Sequence, residues 1–214
     1  ENAEALEVCL NGVPVEMRVD GYFTDKAIQT VKLPAIKEGS NILTMKVPFG
    51  PRTNTEWCYI LGDFGVKAAG CTKVLVPREQ RIAFSSVVPQ GLPFYGANIT
   101  YHTEVELPEG DIVIHANHYR GAMMKVYVDG EARGIIAYAP YELRINGLKA
   151  GKHRIDYELF GNRHNSFGAL HNADILWDWF GPDAWRTAGD KWCYEYRLKE
   201  FGILASPVIK VIQS

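Results

Sequence analysis

The sequence of 214 residues lacks the features that mark several classes of protein. It has no apolar run close to the roughly 20 residues that a membrane-spanning helix requires. Its net charge of −2 provides no basic surface of the kind that nucleic acid needs. Because long amphipathic helical patterns are also missing, we expect no membrane segment, no nucleic-acid partner and no helical bundle.

Metal-binding and cofactor motifs are missing too. The four cysteines show no metal-type spacing, and neither His115–His118 nor His164–His171 has a convincing third ligand. Cys9, Cys58 and Cys193 lie in apolar or aromatic runs, which predicts buried free thiols. Disulfides between distant positions, formed in an oxidising compartment, are the alternative. We expect no metal and no cofactor.

Short segments rich in Val, Ile, Tyr and Phe recur along the chain, and turn-forming residues such as Asn-Gly and Asp-Gly separate them. They include residues 6–10, 42–47, 111–116, 124–128, 153–159 and 207–212. Apolar and polar residues alternate in HRIDYEL at 153–159, as in a half-buried strand. The pattern predicts an all-β fold built as an antiparallel sandwich or jelly roll.

Several blocks of the sequence occur twice in the same order. EVCLNG (7–12) matches KVYVDG (125–130), FGPRTN (49–54) matches FGNRHN (160–165), and the WCY of 57–59 matches that of 192–194. The offset is 111 residues at the second block and 135 at the third, which indicates an insertion of 24 residues in the second copy. The Asn-Gly and Asp-Gly pairs predict tight hairpins, because both accept positive φ.

The repeat predicts two related β-sandwich units, residues 1–77 and 78–214, with the insertion at 166–191. About 50 residues precede the Asp-Gly turn in the second, whereas ten precede the Asn-Gly turn in the first. A sandwich without its opening strands keeps unpaired edges. We therefore expect the first unit to be the C-terminal half of a jelly roll, in the C-terminal part of a longer protein. A natural half-sandwich packed on the second unit is the alternative.

Residues 126–162 carry a strand, an Asp-Gly turn, a nearby glycine, an aromatic stretch, a second strand and a polar loop. The positions of this pattern are Asp129, Gly130, Gly134, Pro140, Tyr141, Leu148, Gly151, Ile155 and Asn162, and the first copy carries Asn11, Gly12, Gly39 and Ile42 in like manner. In this pattern the chain resembles the galactose-binding-like jelly roll of bacterial glycoside hydrolases, those of family 2 and α-L-rhamnosidase-like enzymes.

The resemblance implies an accessory role. In such enzymes these domains flank a separate catalytic domain, where they brace it or bind carbohydrate, and the catalytic residues lie elsewhere. The expected partners are carbohydrate, the catalytic domain of the same polypeptide, or both. A purely structural interaction module and a self-contained glycosidase are the alternatives.

The insertion holds Trp177, Trp179 and Trp185, and Trp192 follows it. Tryptophan offers a broad apolar face with one donor at its edge, which complements the C–H face and hydroxyl groups of a sugar. Packing over a sandwich face or against other domains is the alternative interpretation. Further candidate carbohydrate-binding residues are His164, Asn165, His171, Tyr95 and Asn98.

Residues present in both copies are expected to serve the fold. Arg52 and Arg163 are predicted to hold their loops through charged hydrogen bonds, and Asn54 and Asn165 are predicted to turn them. Paired carboxylates occur at 104 and 106, 156 and 158, and 174 and 178. Glycoside hydrolysis needs two such groups across a cleft, but a solvated strand face explains these pairs equally well. No catalytic residue is predicted.

Overall fold

The computed structural model describes residues 2–51, 53, 58–174, 181, 184–185 and 187–212, in two compact units, Glu1–Leu61 and Gly62–Ser214. The predicted limits of 1–77 and 78–214 stay a prediction. The hairpin over residues 65–76 groups with the second unit. None of the described helices has the length and apolar character needed to cross a membrane.

The first unit contains five strands among the described residues. A short 3-10 helix, Ala3–Ala5, precedes β1 (Glu7–Leu10), β2 (Val13–Pro14), β3 (Val19–Phe23), β4 (Asp25–Val31) and β5 (Leu43–Lys46). The strands form a three-stranded sheet in the order β2-β1-β5 and a two-stranded sheet of β3 and β4. Its buried core is small and consists of Val8, Leu10 and Val15.

The second unit contains the remaining strands. They are β6 (Gly65–Ala69), β7 (Thr72–Val76), β8 (Ile99–Leu107), β9 (Gly110–His115), β10 (Tyr119–Arg120), β11 (Met124–Val128), β12 (Glu131–Ile136), β13 (Glu142–Leu148), β14 (Gly151–Leu159), β15 (Gly202–Ile203) and β16 (Val208–Ile212). One helical turn, α1 (His164–Phe167), follows β14. The sheets have the orders β12-β11-β14-β8, β13-β9-β16, β10-β15 and β6-β7.

Alternation along the strands builds the core of the second unit. In β11, Met124, Val126 and Val128 are buried, whereas the residues between them are half-exposed. The strands β9 and β14 contribute Ile112, Ile114, Ile155 and Tyr157 in the same way. The all-β prediction is confirmed, and each of the six segments singled out in the sequence contains a strand.

The repeat is visible in the strand pairing. β1 pairs antiparallel with β5, and β11 pairs antiparallel with β14. The two pairs have the same register under the sequence alignment. Val8–Met45 corresponds to Val126–Tyr157, Leu10–Leu43 to Val128–Ile155, and Glu7–Lys46 to Lys125–Glu158. Residues of the first copy therefore have identifiable structural counterparts in the second.

The hairpin turns correspond as well. Asn11 has φ 53° and Asp129 has φ 52°, and each precedes a glycine with positive φ. The side-chain oxygen of each residue accepts a hydrogen bond from a backbone amide at 2.9 Å, Ile42 N–H in the first copy and Arg154 N–H in the second. The predicted hairpins are thus formed, and each is capped by its own turn residue.

All four cysteines are free, including the three predicted to be so, but their burial differs from the expectation. Cys193 is buried, Cys9 and Cys71 are half-buried, and Cys58 is exposed. The expectation of burial was wrong for Cys58 because the described apolar residues that follow it, Tyr59, Ile60 and Leu61, are themselves exposed and lie in no strand.

Candidate functional site

Four segments of the second unit meet in one region, which we call the loop end. It comprises the β6–β7 turn with the start of β7, at 70–73, and residues 94–98, 160–172 and 192–199. A side chain on Gly161 would lie 2.4 Å from the carbonyl oxygen of Ala97, and Ser166 Oγ donates to the carbonyl of Phe94 at 2.8 Å. At the β6–β7 turn, Cys71 Sγ donates to the carbonyl of Tyr194 at 2.8 Å.

Aromatic rings form the centre of the loop end. The His171 ring lies 4.4 Å from Tyr196 and 5.8 Å from Trp192 between ring centroids. Phe94 packs on Tyr196 at 5.1 Å, and Tyr194 packs on Trp192 at 6.1 Å. Four of these five rings are half-buried, whereas Tyr194 is 52% exposed. The cluster presents aromatic surface to solvent on a support of packed rings.

Two polar contacts fix the cluster. Lys73 Nζ donates to the hydroxyl of Tyr196 and lies 5.2 Å from the centre of its ring, within cation–π range. His171 Nδ1 hydrogen-bonds to the carbonyl of Cys193 at 2.8 Å, so this nitrogen carries a proton. The backbone therefore sets the orientation of the His171 ring, and Lys73 of the β6–β7 hairpin sets that of the Tyr196 ring.

The two asparagines of this region play different parts. Asn165, a predicted binding residue, is buried, and its amide both donates to the carbonyl of Lys199 and accepts from its N–H, at 2.8 and 3.0 Å. Asn165 therefore fixes α1 to the backbone of Lys199. Asn172 is also buried, and its Nδ2 has no hydrogen-bond partner among the described residues.

His164, in α1, is half-buried. Burial lowers the pKa of its imidazole, and the positive charge of Lys199 acts in the same direction. The ring is therefore neutral at neutral pH and can both donate and accept a hydrogen bond.

Tyr95 and Asn98 lie in the 94–98 segment of the loop end, where a polar network begins on the outer face of the sheet. The Tyr95 hydroxyl donates to the carbonyl of Asn98 at 3.1 Å. The amide of Asn98 donates to Glu158 at 3.0 Å, and the hydroxyl of Tyr127 donates to the other oxygen of Glu158 at 2.8 Å. Both carboxylate oxygens of Glu158 are therefore engaged.

Asp156, the neighbour of Glu158 on the same face, is held as an anion. Burial raises the pKa of its carboxyl group, but hydrogen bonds with Arg154 and His102 outweigh this effect and leave the pKa below its ordinary value. A general acid of a glycosidase needs a raised pKa. The contacts of Asp156 suit a structural ion pair.

The predicted site residues are only partly brought together. His164, Asn165, His171, Tyr95 and Asn98 lie in or beside the loop end, and Trp185 is exposed. Trp177 and Trp179 lie outside the described residues, as do Arg52, Asn54 and the carboxylate at 178. The remaining loop residue, Arg163, immediately precedes α1.

Sequence reasoning missed Lys73, Tyr194 and Tyr196. The alternation Trp-x-Tyr-x-Tyr at 192–196 was a usable signal, since residues two apart in an extended chain share a side. Lys73 had no such signal, because its contact with Tyr196 spans 123 residues.

Comparison with known proteins adds a structural likeness. No family model matches the chain, and no curated protein matches it. Its structure is similar to that of a rhamnosidase from Novosphingobium sp. PP1Y, with 13% identity and a TM-score of 0.42, over 96% of this chain and 20% of the rhamnosidase. The chain thus spans about a fifth of that protein's length. A likeness at this TM-score carries no argument about function.

Proposed function

We propose that this chain is a non-catalytic accessory β-sandwich region of a bacterial glycoside hydrolase, and that the loop end of its second unit binds carbohydrate. The sequence resemblance described above supports the protein class. The aromatic cluster of the loop end supports the binding role and is the observation that carries it.

The chemistry of the cluster suits a sugar. Tyr194 and Trp192 offer flat apolar faces against which the C–H face of a pyranose can stack. Lys73 and the neutral His164 supply hydrogen-bonding groups in the same region, so hydroxyl groups at the edge of the sugar have partners. Loops at the end of a rigid sandwich are a common position for such sites.

Bracing of a catalytic domain is the second candidate function. The first unit exposes several large apolar side chains, including Val13, Ile42 and Phe49, and a small core leaves them uncovered. Exposed apolar surface of this kind favours contact with another protein surface. Carbohydrate binding would use the loop end of the second unit, whereas bracing would use the exposed apolar side chains of the first unit. The two roles can therefore be tested separately.

Binding is tested by a glycan array followed by affinity measurement with the purified chain. We expect Tyr194→Ala and Trp192→Ala each to weaken binding of the selected glycan about tenfold or more, since an aromatic contact at the centre of a site is worth over 1 kcal/mol. The double variant Trp177→Ala/Trp179→Ala tests the predicted contribution of the insertion.

Tyr138→Ala is the matched control. Tyr138 is 83% exposed on the connection between β12 and β13, outside the loop end, so its loss should leave affinity unchanged. Near-ultraviolet circular dichroism checks that each variant is folded. Absence of binding to any glycan, or equal losses in the control and the loop-end variants, would contradict the proposal and leave the bracing role.

A further inference from the structure

One edge of the first unit has no strand partner among the described residues. β5 is the last strand of the order β2-β1-β5, and β1 is its only partner among the described strands. Its counterpart in the second unit, β14, pairs with β11 on one side and with β8 on the other. The first unit thus reproduces two of the three strands of this arrangement.

The hydrogen-bonding pattern shows which groups face the open edge. Asn11 N–H donates to the carbonyl of Ile42, so positions 42, 44 and 46 of this segment point their backbone groups at β1. The N–H and carbonyl groups of the alternate residues, Leu43, Met45 and Val47, consequently point away from β1. In the second unit the matching bond, Asp129 N–H to the carbonyl of Arg154, leaves alternate residues of β14 to pair with β8.

The side chains along this edge are exposed where their counterparts are buried. Met45 is 40% exposed and Val47 is 43% exposed. Their counterparts Tyr157 and Leu159 are 2% and 0% exposed. Leu43 is half-buried, and Phe49, next in the alternating series, is 85% exposed. An apolar row and a row of backbone groups therefore lie side by side on the same open edge.

We propose that this edge is a docking site for a β-strand supplied from outside residues 1–214, which adds antiparallel to β5. The occupant is an extended segment of about nine residues with apolar side chains at alternate positions, the pattern of β8. The counterpart contact between β8 and β14 shows what completes this arrangement in the same molecule. Main-chain hydrogen bonds would provide the affinity, and the apolar row would set the register of the incoming strand on β5.

A labelled peptide with the sequence of β8, Ile-Thr-Tyr-His-Thr-Glu-Val-Glu-Leu, is a direct probe. We expect saturable binding of one peptide per chain in fluorescence anisotropy. Amide hydrogen exchange by NMR should show new protection at Leu43, Met45 and Val47. A peptide of the same composition with its apolar residues grouped together should not bind.

Met45→Pro tests the edge directly, because proline removes the N–H that faces the incoming strand while sparing the bonds to β1. We expect at least about a tenfold loss of peptide affinity. Met45→Val is the control and should retain binding. Protection of the amides at Thr44 and Lys46 verifies that β5 still pairs with β1. If Met45→Pro loses that pairing, the test uses Met45→Lys instead. This variant places a charge in the apolar row, and we expect the same loss of peptide affinity.

Three results would overturn the proposal. The first is no binding of the β8 peptide to the folded wild type. The second is binding that survives both Met45→Pro and Met45→Lys, which would place the peptide elsewhere, for example on β14. The third is concentration-dependent protection of Met45 without peptide, which would make a second copy of the chain the occupant.

Discussion

At the scale of single residues, one pair of positions carries different chemistry in the two copies. In the second copy, His153 hydrogen-bonds through Nδ1 to Asp129 at 2.7 Å and through Nε2 to the carbonyl of Lys149 at 2.8 Å. In the first copy, Asn41 Oδ1 accepts from Asn11 Nδ2 at 2.9 Å. The charged pair and the amide pair occupy corresponding positions beside the same hairpin turn.

The charged pair should make stability depend on pH. The carbonyl of Lys149 and the carboxylate of Asp129 both accept hydrogen bonds, so they raise the pKa of His153. The stabilisation from His153 is therefore complete below its unfolded pKa of about 6.5 and is lost as pH rises through the raised folded value. The His153 contact lowers the pKa of Asp129, whose contribution is lost only as pH falls through that lowered value.

The double variant Asp129→Asn/His153→Asn copies the first-copy pair and tests this dependence. We expect the free energy of unfolding of the wild type to fall, relative to that of the variant, as the pH is raised from about 5 to a value above the raised pKa of His153. Urea unfolding at both pH values measures the difference. An equal difference between the two proteins at both pH values would show that His153 titrates without linkage to folding.

Among single residues, turn positions could be predicted from the sequence, whereas long-range side-chain contacts could not. Asn11 and Asp129 were predictable turn residues, because each precedes glycine and accepts positive φ. The clamp by Asn165 was not predictable, since its partner, Lys199, lies 34 residues away. A buried asparagine and a ligand-binding asparagine look alike in a sequence, and only the partner distinguishes them.

At the scale of elements, β11 and β14 were predictable from the sequence, whereas β3 and β4 were not. β11 and β14 alternate apolar and polar residues because one face lies in the core. β3 and β4 were missed, because their residues are exposed or half-buried and carry no clear alternation. The loop end was only partly predictable, because it depends on contacts among four segments distant in sequence.

Two corresponding glycines, Gly161 and Gly50, differ in the space around them. Replacing each with alanine tests how closely Gly161 approaches residues 96–97. Gly161→Ala would place a methyl group 2.4 and 2.5 Å from the carbonyl oxygens of Ala97 and Gly96, so we expect a loss of about 1–3 kcal/mol in the free energy of unfolding. Gly50→Ala meets nothing within 4 Å and should change stability by less than about 0.5 kcal/mol. Calorimetry on both variants measures the effects, and equal shifts would contradict the close approach.

At the scale of the whole molecule, the two units differ in core size. Among the described residues, seventeen form the buried hydrophobic cluster of the second unit, and three form that of the first. Stability depends on buried apolar surface, and a small domain buries proportionally less of it. The first unit should therefore be the less stable part of the chain.

We expect unfolding in two steps, with the first unit opening at lower temperature or denaturant concentration. Limited proteolysis should then cut within residues 1–61 and leave a resistant fragment that begins close to Gly62. Mass spectrometry of the fragments and a denaturation curve followed by circular dichroism measure this. A single transition with no fragment of that size would indicate that the two units unfold together.

The repeated strand pair also affects how the chain avoids misfolding. Glu7 pairs with Lys46 at 2.9 Å in the first copy, whereas the corresponding positions in the second are Lys125 and Glu158, with the signs exchanged. If β1 paired with β14, Glu7 would face Glu158, and β11 on β5 would set Lys125 against Lys46. Like charges directly opposite each other destabilise a strand pair. The exchange of signs thus penalises strand swapping between two similar halves that must fold in the same chain.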